Sequence, residues 1–235
     1  RDKEIIDTEL QIKDLETVEQ RLARVEKVAK VGGDKQAQVE YGVLKAYREA
    51  LVAGKSARTV TFESKEEQAA ARNLFLLTAK PVLYVCNVDE GSAATGNEYV
   101  ERVRQAVAPE GAEILVVAAQ TEADIAELED PEERRMFLED AGLSESGCNR
   151  LIKAAFHMLN LETFITAGPM EVKAWTYRKG WKAPQCAGVI HSDFEKGFIR
   201  AEVIKYDDYM AYGSETAVRE AGKLYIEGKD YTVCD

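Results

Sequence analysis

Two short apolar runs separated by one amphipathic helix constrain this chain more than any other feature. Pro81-Val82-Leu83-Tyr84-Val85-Cys86 and Ile114–Ala119 carry no alternating polar residues, the pattern of strands buried on both faces of a parallel sheet. Glu98–Ala108 reads as a helix between them. The segment therefore predicts a strand–helix–strand unit with a right-handed crossover. Two strands cannot form a doubly covered sheet, and no later segment supplies more runs of this kind. The expectation is that an N-terminal half of the domain lies outside the chain. The start, Arg1-Asp2-Lys3-Glu4, fits this, having neither an initiator Met nor the apolar core of a secretory leader.

Upstream, residues 6–53 read as two helices around a tight turn. Leu15, Val18, Leu22, Val25 and Ala29 follow 3-4-3-4 spacing and share one stripe. Gly32-Gly33-Asp34 breaks the helix, with a glycine free to take positive φ and Asp34 ready to cap the next helix. Val39, Val43, Ala46, Ala50 and Ala53 are the expected facing stripe, small enough for close approach. The tip is basic, with Arg21, Arg24, Lys27, Lys30 and Lys35 against Glu26 and Asp34. It is open to two readings, a solvated coiled-coil face or a docking surface for an anionic partner.

Downstream, Lys65–Leu77 reads as a helix leading into the first strand. Residues 144–160 read as an amphipathic connecting helix with Leu151, Ile152, Ala155, Phe156 and Leu159 on its apolar face. Strands are expected at Leu161–Ala167, Val172–Tyr177 and Phe198–Ile204, one helix at Glu215–Glu220, and a last strand and turn from Tyr231 to Asp235. That is a compact α+β roll.

The net charge of −11 argues against wholesale coating of nucleic acid, but the acidity is concentrated in residues 61–162, leaving both ends near neutral. No run of 18 apolar residues exists, so no membrane helix is expected. Cys86, Cys148, Cys186 and Cys234 are widely spaced, with two histidines in the whole chain. Reduced thiols of a cytoplasmic protein fit this better than a zinc site or a disulfide framework.

Gly54-Lys55-Ser56 mimics the end of a phosphate loop. The first glycine of that motif would fall at Glu49, and the segment follows a helix where a strand is required. It is a decoy. Asn87-Val88-Asp89-Glu90 ends the first buried strand, at the edge where open α/β sheets bind ligands. It is read either as a polar strand-end turn or as a variant of the Asn-Lys-x-Asp guanine-reading motif, with Val88 for Lys and Glu90 for Asp. Ala118-Ala119-Gln120 ends the second strand, where a second base-contacting loop belongs. Residues 172–205 hold seven basic and three acidic side chains, with Trp175, Tyr177 and Trp181 among them. This mix suits RNA contact or an ordinary mixed surface. His157 and His191 read as structural, since no nucleophile accompanies them.

Taken together, PVLYVCNVDE, AAQTEADIAEL, AGLSESGCNRLIKAAFHMLNLETFITAG and IHSDFEKGFIRAEVI resemble the Obg-like ATPase (YchF) family of P-loop GTPases and ATPases, over essentially the whole chain. The resemblance implies α/β and α+β architecture. Residues 1–64 would be an antiparallel coiled-coil hairpin inserted in the nucleotide domain, and 65–142 the C-terminal half of that domain with its parallel sheet. Residues 143–160 would be a connecting helix and 161–235 a ubiquitin-like TGS domain, lacking a short closing stretch. It implies ATP or GTP binding with Mg²⁺ in a parent protein. The base would meet Asn87, Val88, Glu90, Ala118, Ala119 and Gln120, with Ala118 replacing the hydroxyl of the usual Ser-Ala-Lys loop. The phosphate loop, switch regions and magnesium ligands would lie upstream, so no catalytic or metal-binding residue is expected here and this polypeptide alone would be inactive. Ribosome or RNA contact is expected through Lys27, Lys30, Lys179, Lys182 and Arg200, in a cytoplasmic monomer. The alternative is a non-catalytic RNA or ribosome adaptor using the hairpin and the TGS-like segment.

Overall fold

The computed structural model describes residues 1–234. It divides into two compact units, Arg1–Tyr84 with Gln105–Glu113, and Val85–Arg104 with the chain from Ile114 onward.

In the first unit, α1 (Asp2–Val31) and α2 (Lys35–Val52) form the hairpin. Gly32 ends α1 at φ 85, a left-handed conformation that favours glycine. Asp34 caps α2, its Oδ1 accepting from the backbone of Gln36 at 2.9 Å and Ala37 at 3.1 Å. Ion pairs Arg21–Glu40 (2.5 Å) and Arg48–Glu19 (3.2 Å) cross the seam and fix an antiparallel register. The α1 stripe is as expected: Val18 and Ala29 are buried, and Leu15, Leu22 and Val25 pack against the core. The α2 face is so only in part. Val43 is buried and Val39, Ala46 and Ala50 are half-buried, but Ala53 is exposed and the large buried residues are Leu44, Tyr47 and Leu51. Residues 57–79 fold onto this side of α2, adding Ala57 and Leu76 to the cluster. Phe62 meets the Tyr47 ring edge-on at 5.2 Å. A core shared by more than two helices needs large side chains where a two-helix seam would take alanine.

Helix α3 spans Lys65–Arg72, opened by a reciprocal Ser64–Glu67 capping box. It stops short of the expected Leu77, because Asn73 caps it and Phe75 turns to φ 51. The chain that follows is held by Asp14 of α1. This buried carboxylate accepts from the N–H groups of Leu77 (2.8 Å) and Thr78 (2.7 Å). Lys3 bridges Asp7 and Glu110, each at 2.5 Å, and Glu110 also takes Arg58 (3.3 Å) and the Tyr84 hydroxyl (3.2 Å).

Strand β1 (Leu83–Asn87), α4 (Glu98–Val107) and β2 (Glu113–Val117) form the expected strand–helix–strand unit, and the two strands pair in parallel. Helices α5 (Ala119–Ala126), α6 (Pro131–Asp140) and α7 (Gly147–Met158) follow. Leu151, Ile152 and Leu159 of the predicted apolar face are 40–51% exposed, so that face is only partly covered.

Strands β3 (Leu161–Ala167) and β4 (Val172–Arg178) form an antiparallel hairpin, with Leu161 opposite Arg178 and Ala167 opposite Val172. Four helices then appear where one was expected: α8 (Ala183–Ile190), α9 (Ser192–Lys196), α10 (Tyr206–Tyr212) and α11 (Glu215–Glu220). Three of them are too short, or in α8 too uniformly apolar, to show a 3.6-residue period. Strand β5 is only Ala201–Ile204, because Phe198–Arg200 is irregular, and it pairs antiparallel with β6 (Leu224–Glu227). The expected strand at Tyr231 is a single bridge between Lys182 and Thr232. The predicted turn at Val233-Cys234-Asp235 ends outside the described residues. The Cys186 thiol is pushed up to about 11 by burial, helped by the Glu162 charge, and the cysteines among the described residues are unpaired.

Candidate nucleotide-base site

The two loops leaving β1 and β2 are tied together by one side chain. Asn87, the last residue of β1, accepts through Oδ1 from the N–H of Ala119 at 3.0 Å. Ala119 is the first residue of α5, whose cap position is Ala118 and offers no side-chain acceptor. Asn87 thus serves, from another loop, one of the donors that a Ser or Asn cap would serve locally.

Val88 extends the strand pairing by one bond, its N–H donating to the Val117 carbonyl at 2.8 Å. Its side chain packs on a cluster of Ala93, Ala118 and Leu143. Asp89 closes the turn, its Oδ1 accepting from the Ser92 backbone (3.0 Å) and hydroxyl (2.8 Å). Glu90 begins a short 3-10 turn and is exposed. Ala119 and Gln120 are also exposed, and the Gln120 amide donates to Asp124 at 2.8 Å. Asn87, Val88, Ala118 and Ala119 therefore meet directly, with Glu90 and Gln120 on the loops they brace.

Three residues that sequence reasoning missed support the second loop. Glu122 of α5 accepts from the N–H of Gly147, the first residue of α7. Arg150, one turn on, donates to the Val116 carbonyl at 2.8 Å and lies 3.7 Å from Glu122. A Cβ on Gly147 would sit 2.5 and 2.8 Å from the Glu122 oxygens and 2.8 Å from a Val117 methyl. Any side chain there would require the Glu122 carboxylate and Val117 to shift. The 25-residue separation of Glu122 from Gly147 left no local pattern to find.

The candidate RNA-contact residues are all exposed, and most have acidic partners. Lys30 pairs with Glu26 at 2.7 Å, Lys179 with Glu162 at 3.0 Å and Lys182 with Asp230 at 3.0 Å. The hydrogen bond to Glu26 raises the Lys30 pKa, and the one to Glu162 does the same for Lys179. His191 accepts from the Asp193 N–H through Nδ1 at 3.2 Å, capping α9.

A parallel strand pair braced at its carboxyl edge, with a hairpin before it and an α+β region after it, is the mixed architecture of a YchF-type GTPase. The solved structure of the Schizosaccharomyces pombe YchF GTPase matches with a TM-score of 0.84 at 32% identity, covering 100% of this chain and 64% of that one. Residues 161–235 match the YchF-GTPase_C family, described as a protein of unknown function (DUF933). The chain is 51% identical to the ribosome-binding ATPase YchF of Bacillus subtilis, covering 100% of this chain and 64% of that protein. It is 48% identical to the protein of the same name from Escherichia coli O157:H7, with 100% and 63% covered, and 43% identical to Obg-like ATPase 1 of Rattus norvegicus, with 100% and 60% covered. The chain is homologous to the YchF/Obg-like ATPase family and spans less than two thirds of the length of these relatives.

Proposed function

We propose that this chain supplies the base-recognition edge and the ribosome-contacting parts of a ribosome-associated ATPase. The bond from Ala119 N–H to Asn87 Oδ1 carries the reading, because it holds both base-contacting loops in one arrangement before ligand arrives. The Val88 N–H is committed to Val117, so the group Val88 has left to offer a base is its carbonyl. A carbonyl accepts from the 6-amino group of adenine and repels the 6-oxo group of guanine. This favours ATP over GTP. Exposed Glu90 adds an acceptor for ring-edge donors.

These residues fit a purine base. Hydrolysis needs a phosphate loop and Mg²⁺ to position and stabilise the transferring phosphoryl group, and the resemblance puts both outside this chain. Nucleotide binding by this polypeptide is therefore weak and turnover absent. Titration calorimetry with ATP and GTP should show weak binding that favours ATP and is lost in Asn87→Ala. An unchanged Asn87→Ala variant refutes the base site, and EDTA-sensitive turnover refutes the inactivity.

The exposed lysines favour a second reading beside the first, in which residues 161–235 act as a TGS-type module and, with the hairpin, dock on ribosomal RNA. The protein would then be cytoplasmic and monomeric, and its docking salt-sensitive and indifferent to nucleotide. Charge reversal at Lys27 and Lys30, at Lys179 and Lys182, or at Arg200 should weaken co-sedimentation with ribosomes. If none does, this reading fails.

A further inference from the structure

We propose that a groove between α1 and the end of α3 is a binding site for single-stranded RNA. The proposal rests on the ribosome-association reading and gives it a location. The groove has a volume of about 180 Å³ and is lined by Thr17, Gln20, Arg21, Arg24, Asn73 and Leu74. Its α1 wall follows helical spacing, and Lys27 is the next residue on the same face.

Arg21, Arg24 and Lys27 thus form a cationic row, and the acids nearest in sequence are already engaged. Glu19 pairs with Arg48 and Glu26 with Lys30. Arg21 is steadied by Glu40, whereas Arg24 makes no ion pair among the described residues.

The opposite wall ends in an anomaly. Phe75 follows Leu74 directly, sits at φ 51 and is 77% exposed. Its N–H bonds to the Arg72 carbonyl at 3.2 Å, so it occupies the left-handed position after a helix where glycine is usual. A phenylalanine there is conformationally disfavoured and gains almost no burial in return. Such outliers persist where the surrounding structure over-determines them, and they cluster at binding sites. A cationic row on one wall and an unburied aromatic residue one position past the other supply the two contacts single-stranded RNA uses, phosphate pairing and base stacking. Gln20 and Asn73 add amide groups able to meet base edges. An acidic peptide would use the arginines and leave the ring without a role.

The test is fluorescence anisotropy of the full chain with a labelled twelve-nucleotide oligouridine, across a salt series. Arg24→Ala and Phe75→Ala should each weaken binding by about fivefold or more, and Arg24→Ala should flatten the log–log salt slope by about 0.7. Phe75→Tyr should bind as wild type. Phe75→Gly should lose binding while melting no earlier than wild type, which separates the loss from misfolding. Binding unchanged in both Arg24→Ala and Phe75→Ala overturns the site. So does a polyglutamate peptide that displaces the oligouridine and binds the Phe75→Ala protein equally well, which would make the partner an acidic protein. Wild type that co-sediments with ribosomes while the variants bind oligouridine normally removes the groove alone. Phe75-dependent oligouridine binding without co-sedimentation keeps the groove and removes the ribosome reading.

Discussion

The hairpin and the strand pair bury their apolar residues very differently. In the hairpin, Val18 and Leu44 are 0% exposed, and with Ala57 and Leu76 of the following segment five of its residues form a buried cluster ringed by partly buried neighbours. The strand pair is as apolar in sequence, yet Val85 at the middle of β1 is 48% exposed, and the cluster under its loops has three buried members. The hairpin and residues 57–79 make a core between them. The strands present a surface made for cover, and what is organised there is the edge, through hydrogen bonds. Packing organises the first place and hydrogen bonding the second.

The sharpest way to break that contrast is a pair of truncations. Leu44→Ala should cost about 2–5 kcal/mol of unfolding free energy, whereas Val85→Ser should stay within about 0.5 kcal/mol. Urea midpoints measure both, and equal losses would end the distinction. Gly147→Ala comes next, at about 1–3 kcal/mol, because its methyl would press on Glu122 and Val117. A thermal melt unchanged from wild type would show that α7 shifts freely.

Asn87→Ala should cost about 1 kcal/mol of stability by orphaning the Ala119 N–H. Asn87→Asp keeps an acceptor at that position and should recover most of the loss, so a similar drop in both variants would assign the effect to something other than this bond.

The smallest effect is a pH dependence in the hairpin base. Burial acts to raise the Glu110 pKa, but the hydrogen bond and charge of Lys3, then Arg58 and Tyr84, outweigh it and hold it below the usual carboxylate value. A depressed folded pKa means stability that is present above the ordinary carboxylate pKa of about 4.3 and lost as pH falls through the folded value. Melting of wild type should drop over that acid range more steeply than melting of Glu110→Gln. Parallel curves would remove Glu110 as the cause.

Periodicity made the hairpin, the strand–helix–strand unit and the β3–β4 hairpin legible, since each repeats its pattern over several residues. It found only part of the inner face of α2, because local spacing cannot say that residues 57–79 fold back and require Leu44, Tyr47 and Leu51 inside. It also missed three short helices after β4, where a single turn or two leaves no period to detect.

The site divides in the same way. Asn87 to Glu90 and Ala118 to Gln120 were visible as strand ends, because open parallel sheets place their ligand loops there. That Asn87 caps the helix beginning at Ala119 was not visible, nor was the support from Glu122, Gly147 and Arg150.

Phe75 shows the limit most clearly. In sequence it is one more apolar residue in a run that reads as helix, and only its backbone angle and exposure set it apart. Sequence alone determined the longer helices and strands and which strand ends carry polar loops, because those follow from a local spacing that repeats. Tertiary structure decided which side chains meet across the chain, because hydrogen bonds and packing between distant residues depend on where the backbone brings them.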